Sequence, residues 1–209
     1  MDIVLPVLLV ATAVVAVVIV FRTMGRGSAK RAFAAPLATV AGSAPGAPGP
    51  TRLAGAVVAI GEAPVSEASG RPYVARDLRI VPGGGGDSGS TRPAQQAVDF
   101  LLDDGTGLAL VRAGDATVHI DRDHEMAPTT LDQVPWVDAL LRAAGYSNGS
   151  PTTCTIRLYE GVLGPGDRAG VVGHVEPADG PARAFGAAVV VKTVGSTRVA
   201  IRPEPTTPS

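Results

Sequence analysis

The chain has 209 residues with 18 Lys and Arg against 19 Asp and Glu, a net charge of −1, and one cysteine. The charge is uneven: four cations, Arg22, Arg26, Lys30 and Arg31, crowd the N-terminal part, and from Arg52 onward 14 basic residues stand against 18 acidic ones. Such a domain repels phosphate backbones, which argues against nucleic acid as a partner, and the lone Cys154 can form neither an internal disulfide nor a thiolate zinc site.

From Ile3 to Phe21 the chain is uncharged and strongly apolar. A helix of that length reaches about 28 Å, close to the hydrocarbon thickness of a bilayer of about 30 Å, so residues 1–22 are expected to form a transmembrane helix. A cleaved signal peptide would put its cations first and its apolar run would be shorter, whereas here Asp2 precedes the run and the cations follow it. Basic flanks stay on the cytoplasmic side, which predicts an N-terminus outside and the main domain in the cytoplasm. Arg22, Arg26, Lys30 and Arg31 then flank the membrane and favour its anionic headgroups. The predominance of arginine over lysine, with abundant Ala, Gly, Val and Pro, fits a GC-rich bacterial genome.

Residues 23–51 carry the cations and then an Ala/Pro/Gly-rich stretch without hydrophobic period, which predicts a flexible, hydrated tether. One domain is expected over 52–202, with 203–209 a disordered tail. Short β-branched runs predict strands at Leu53–Ile60, Tyr73–Val81 and Gln96–Leu102, the last with Val98, Phe100 and Leu102 on one face. The glycine-rich run from Pro82 to Pro93 lacks the Gly-Lys-Ser/Thr of a phosphate loop and predicts a long connection. Asp103-Asp-Gly-Thr-Gly107 supplies turn chemistry for a hairpin into Leu108–Arg112. Further strands are expected at Ala116–Asp121, Cys154–Leu158, Ala169–Val175, Ala187–Val194 and Thr197–Ile201, the last two joined at Gly195-Ser196. A helix is predicted from Pro135 to Ala144, with Val137, Leu140, Leu141 and Ala144 as its apolar stripe and Gly145 as its cap. Many short strands with one helix predict a mainly β fold, an OB-like Greek-key barrel plugged at one end by that helix.

Two stretches carry a family resemblance. Phe100-Leu-Leu-Asp-Asp-Gly-Thr-Gly107 resembles the hairpin of an OB-like barrel. The run Arg157-Leu-Tyr-Glu-Gly-Val-Leu-Gly-Pro-Gly-Asp-Arg-Ala-Gly-Val-Val-Gly173 is similar to a stretch of GIDE domains, the beside-a-membrane module of membrane RING-type E3 ubiquitin ligases. The resemblance covers about Arg52 to Val175 and singles out Arg157, Tyr159, Glu160, Leu163, Pro165, Gly166, Asp167 and Gly173 as motif residues with a possible binding role. Physically, the motif is a strand with a Tyr-Glu corner, a Gly-Pro-Gly-Asp turn and a second strand. A RING needs eight zinc ligands, and one cysteine with three histidines cannot supply them. The resemblance therefore implies a non-catalytic binding or assembly module with a protein or lipid partner and no cofactor.

One polar cluster keeps an enzyme reading open. On a continuing strand, His119, Asp121 and Asp123 share a face, and His124 and Glu125 lie near the turn, so a metal-dependent site of His119, Asp121 and His124 is an alternative. An OB-type nucleic-acid module is the other, although the aromatic residues are scattered and the domain is acidic. Cys154 shares an apolar face with Ile156 and Leu158, which predicts packing and not catalysis.

Overall fold

A computed structural model describes residues 33–35, 37–83, 92–143, 154–193 and 199–204. The expected membrane anchor and its cations Arg22, Arg26, Lys30 and Arg31 lie outside the described residues. Among the described residues no helix is long and apolar enough to cross a membrane.

The strands are β1 (Thr51–Ala59), β2 (Ala75–Gly83), β3 (Arg92–Ala97), β4 (Phe100–Asp103), β5 (Leu108–Val111), β6 (Thr117–Val118), β7 (His124–Thr130), β8 (Thr155–Leu163), β9 (Arg168–Pro177), β10 (Ala187–Lys192) and β11 (Ala200–Pro203). Two short helices, α1 (Pro135–Ala143) and α2 (Gly180–Ala184), accompany them. Five strands close on themselves in the order β1-β4-β5-β10-β9, the circle completed where Leu53 of β1 pairs with Val171 of β9. All neighbours in this barrel are antiparallel except β5 and β10, which run parallel. Closure leaves no open edge in the circle.

The barrel interior is filled by Leu53, Val57, Phe100, Leu102, Ala109, Val171, Val189 and Val191, all buried. Small and branched residues suit so narrow an interior. Gly55 is one position where the backbone comes close: a Cβ there would lie 2.3 Å from the carbonyl oxygen of Asp103. Outside the barrel, α2 lays Ala182 on Leu101, Leu110 and Val190. Strands β4, β5 and β10 are therefore covered on both faces, which explains their continuous apolar runs. Sequence reading passed over α2, whose start is set by Asp179 accepting a hydrogen bond from the Ala182 amide at 2.8 Å, with Pro181 in the first turn.

A second sheet, β3-β2-β8-β7, stands beside the barrel. Leu78, Ile80, Ala94, Ile156 and Leu158 form its buried face, and α1 covers it with Val137, Leu140 and Leu141. The apolar stripe is as expected, but its partner is this sheet and not the barrel end; Ala144 and Gly145 lie outside the described residues. The expected strand Gln96–Leu102 is two strands in two sheets: β3 pairs with β2, the chain bends at Val98-Asp99, and β4 enters the barrel. Alternation cannot reveal that break, because Gln96 is buried by polar contacts and Phe100 by apolar ones.

Other boundaries shift for similar reasons. Only Thr117-Val118 of the expected strand Ala116–Asp121 is a strand, because β6 finds one partner, β11. β10 and β11 are not paired as a hairpin; they lie end to end along the same side of β9, at His174 to Pro177 and at Ala169 to Val172. Their connection at Gly195-Ser196 lies outside the described residues. The stretch read as a hydrated tether is docked from Leu37 onward: the Ala38 amide donates to the Arg52 carbonyl at 2.9 Å, the Val40 amide to Asp104 Oδ2 at 2.6 Å, and the Gly46 amide to the Val175 carbonyl at 2.9 Å. Val40 is buried against the barrel core. At the other end, Pro203 belongs to β11 and the Glu204 amide donates to the Arg168 carbonyl, so residues 203 and 204 are part of the fold and not of a tail; the rest of the expected tail lies outside the described residues.

Candidate functional site

The Arg157–Gly173 stretch forms β8, a turn and β9, and so joins the second sheet to the barrel. Pro165 and Gly166 occupy the centre of the turn, and Gly166 has φ +89°, as a Pro-Gly type II turn requires. Asp167 closes it by accepting from the Gly164 amide at 2.7 Å through Oδ2. The turn is then stitched to β1 by two bonds of 2.8 Å, Gly166 amide to Val57 carbonyl and Val57 amide to Asp167 carbonyl. Leu163 is buried in the barrel core, and Gly173 admits no side chain because a Cβ would lie 2.7 Å from Val191 Cγ1. Arg157 is exposed and Tyr159 half-buried on the opposite face of β8 from Glu160.

Glu160 is fully buried and is the hub of a polar cluster under the second sheet. Ser66 Oγ donates to its Oε1 at 2.5 Å, and Arg76 Nη1 lies 3.8 Å from the same oxygen. Arg76, itself buried, also donates to Gln96 Oε1, to Ser66 Oγ at 3.3 Å and to Glu67 Oε2 at 2.7 Å, and its guanidinium sits 4.7 Å from the Tyr73 ring centroid. Such a cluster fixes geometry. The signal for Arg76 was in the two-residue period, which puts it on the face of Leu78 and Ile80.

A cleft of ≈ 620 Å³ opens where the turn, the segment 119–123 and β11 meet. Its apolar lining is Ile120, Val162, Leu163 and Pro203; its charged lining is Asp121, Asp123, Asp167, Arg168, Arg202 and Glu204, with His119 between. Both constellations singled out in the sequence thus reach one cavity, the motif through Leu163, Gly166 and Asp167, the polar cluster through His119, Asp121 and Asp123. Arg202 and Glu204 had no signal in the sequence, because the β11 end of the chain reaches the cleft only through its pairing with β9, whereas Arg168 lies inside the motif stretch without being one of the residues singled out there.

The cleft charges are mostly engaged. Arg71 grips Asp123 with two bonds of 2.8 Å and holds its carboxyl below the usual carboxylate range. Glu204 accepts from Arg52 at 2.7 Å and from Arg202 at 3.2 Å. Arg202 also lies 4.2 Å from the centroid of the Phe33 ring, which packs edge-to-face with the His119 ring at 6.3 Å between centroids. Burial pushes the His119 imidazole down from its ordinary pKa, leaving it neutral at pH 7. The ligand set of the alternative metal reading is dispersed: His124 Nε2 bonds the Ala68 carbonyl at 3.2 Å, Asp123 is taken by Arg71, and among the described residues no group of three His, Cys, Asp or Glu side chains is placed to hold a metal ion. Cys154 lies half-buried ahead of β8, and Ile156 and Leu158 alone carry the apolar face.

No family model, curated protein or solved structure matches this chain.

Proposed function

We propose that this chain is a membrane-anchored, non-catalytic binding or assembly module on an OB-like barrel of the GIDE type, with the cleft as its contact surface. The observation that carries the reading is the closed order β1-β4-β5-β10-β9 with its parallel β5–β10 pair, which has the form of an OB barrel, together with the motif turn placed at the rim of the cleft. Most of the charged groups there hold one another and the backbone, an arrangement suited to a shaped surface more than to proton transfer or nucleophilic attack. Asp121 and Arg168 are exposed and make no ion pair among the described residues, so they are the groups offered to a partner. The partner is a protein or lipid surface and not nucleic acid, given the acidic balance.

The test is in vivo crosslinking of the full chain in its native membranes, followed by purification in detergent, with Asp121→Lys/Arg168→Glu as the comparison. Both positions are exposed, so the double variant keeps its melting temperature while losing the crosslinked partner; an unchanged crosslinking pattern overturns the cleft as contact surface. Extraction of the full chain at alkaline pH tests the anchor separately, and release into the soluble fraction refutes it.

A further inference from the structure

Residues 119–123, between β6 and β7, form one wall of the cleft. The backbone of the wall is pinned at its ends, His119 amide to Ile201 carbonyl at 2.8 Å and Asp123 amide to Glu160 carbonyl at 3.0 Å. Between them the wall lies tight on β8, where a Cβ on Gly161 would come 2.4 Å from the Asp121 carbonyl oxygen. Two arginine–carboxylate pairs fasten it, one to the segment before β2 and one to β2 itself. The outer one is Arg71–Asp123; the inner one is Arg122 Nη2 to Asp77 Oδ2 at 2.8 Å.

The inner pair is asymmetric. The Asp77 side chain is 7% exposed and Arg122 31%, so Arg122 can turn into water while Asp77 stays where β2 holds it. Asp77 Oδ1 is buried without a hydrogen-bond partner. We infer that the Asp77–Arg122 pair is a proton-operated clasp on the cleft wall, fastened at neutral pH and released by mild acidification, so that the contact surface changes shape with pH. Its meaning for partner binding rests on the binding reading above; the clasp itself does not.

Burial pushes the Asp77 carboxyl up to about 6, against the opposing pull of Arg122 and the smaller help of Gln95. The outer pair moves the other way, because Asp123 titrates below the usual range. Between pH 7 and 5 the inner clasp therefore titrates and the outer one holds. Around Asp77, Arg79 lies two residues along its own strand, Tyr159 diagonally across on β8, and Asp121 in the wall, where its carbonyl oxygen meets Gly161, the residue opposite Asp77; β3 presents the neutral Gln95, which bonds the Val118 amide and carbonyl. His119, next to Val118, is held below its ordinary pKa by burial, which opposes its protonation. Protonating a buried carboxylate removes a desolvation cost, so release of the wall accompanies a gain in the stability of the whole fold.

Amide hydrogen exchange on the full chain in detergent, corrected for the intrinsic pH dependence of exchange, reads the wall directly. From pH 7 to 5 the protonated fraction of a group near pH 6 rises about tenfold, and protection at the hydrogen-bonded wall amides, His119 and Asp123, is expected to fall by a similar factor. The β1 and β9 amides keep theirs. Asp77→Asn should show the low wall protection at both pH values, and Arg122→Gln, which leaves the buried strand untouched, should do the same. Wall protection that is unchanged between pH 7 and 5, or that survives in Arg122→Gln, overturns the clasp; so does a parallel loss at β1 and β9. If the wall responds but crosslinking to a partner never depends on the cleft, the binding reading fails and the clasp stands.

Discussion

The barrel and the second sheet solve the same problem of burying a β surface by different means. In the barrel, five strands close their own hydrogen bonds, and the interior is packed almost wholly by Val, Leu, Ala and Phe100. The second sheet ends at β3 and β7, leans on one helix, and buries Arg76, Asp77, Gln96 and Glu160 in addition to its apolar face. Closure makes placement automatic in the first case. In the second, charge pairing supplies position on both faces: Asp77 meets Arg122 of the cleft wall on one, and Glu160 meets Ser66 and Arg76 on the other.

The sharpest way to break this comparison is Arg76→Met. It leaves Glu160 buried without its cation, which is expected to cost about 4 kcal/mol in denaturant unfolding. Exchange protection should fall first in β2 and β8; if β1 and β9 lose protection equally, the two regions are one cooperative unit and the contrast fails. Leu158→Ala removes apolar contact with α1 at a site with no exposure, for about 3 kcal/mol, and checks whether the second sheet depends on packing as well as on charge.

Gly55→Ala acts on the barrel instead. The added methyl meets the Asp103 carbonyl oxygen in the backbone, and the expected loss is about 2 kcal/mol, with a lower thermal midpoint and early opening of the β1–β4 pair. A neutral result would show that the barrel yields more readily than its closed hydrogen bonding implies.

A smaller effect of opposite sign belongs to Asp77→Asn. The folded carboxyl titrates near 6, above its ordinary value of 3.8, so its charge opposes folding above pH 6 and that cost is relieved as the pH falls from 6 toward 3.8. The variant should therefore be more stable than the parent at pH 8, by on the order of 1 kcal/mol, and equal to it below pH 4. A loss of stability at pH 8 would make the ion pair with Arg122 the dominant interaction there. Smallest of all, Arg71→Ala deletes an exposed pair and should change unfolding by less than about 1 kcal/mol while raising exchange at Asp123.

Much of the local structure was legible. The Asp103–Gly107 hairpin, the apolar stripe of Val137, Leu140 and Leu141, and the turn at Gly164–Asp167 all follow from residue types whose conformational preferences need no distant partner. What was not legible is where such pieces attach. Val98-Asp99 divides two sheets without any turn signal, and the Pro- and Gly-rich run before Thr51 looks like a tether until the Val40 amide finds Asp104, 64 residues away. The candidate site shows the same division: the motif and the polar cluster were visible, while Arg202 and Glu204 arrived through a strand pairing.

The amino-acid sequence by itself determined a mainly β chain with one amphipathic helix, an acidic domain, an apolar N-terminal run with cations after it, and too few Cys and His for a RING, because composition and short-range period are local properties. Tertiary structure decided that five strands close, that four others form a separate sheet, and that residues 119–123, the motif turn and β11 share one cleft. Pairing between strands far apart in the chain depends on which hydrogen-bond edges and buried charges can be satisfied together, and that is a property of the assembled fold.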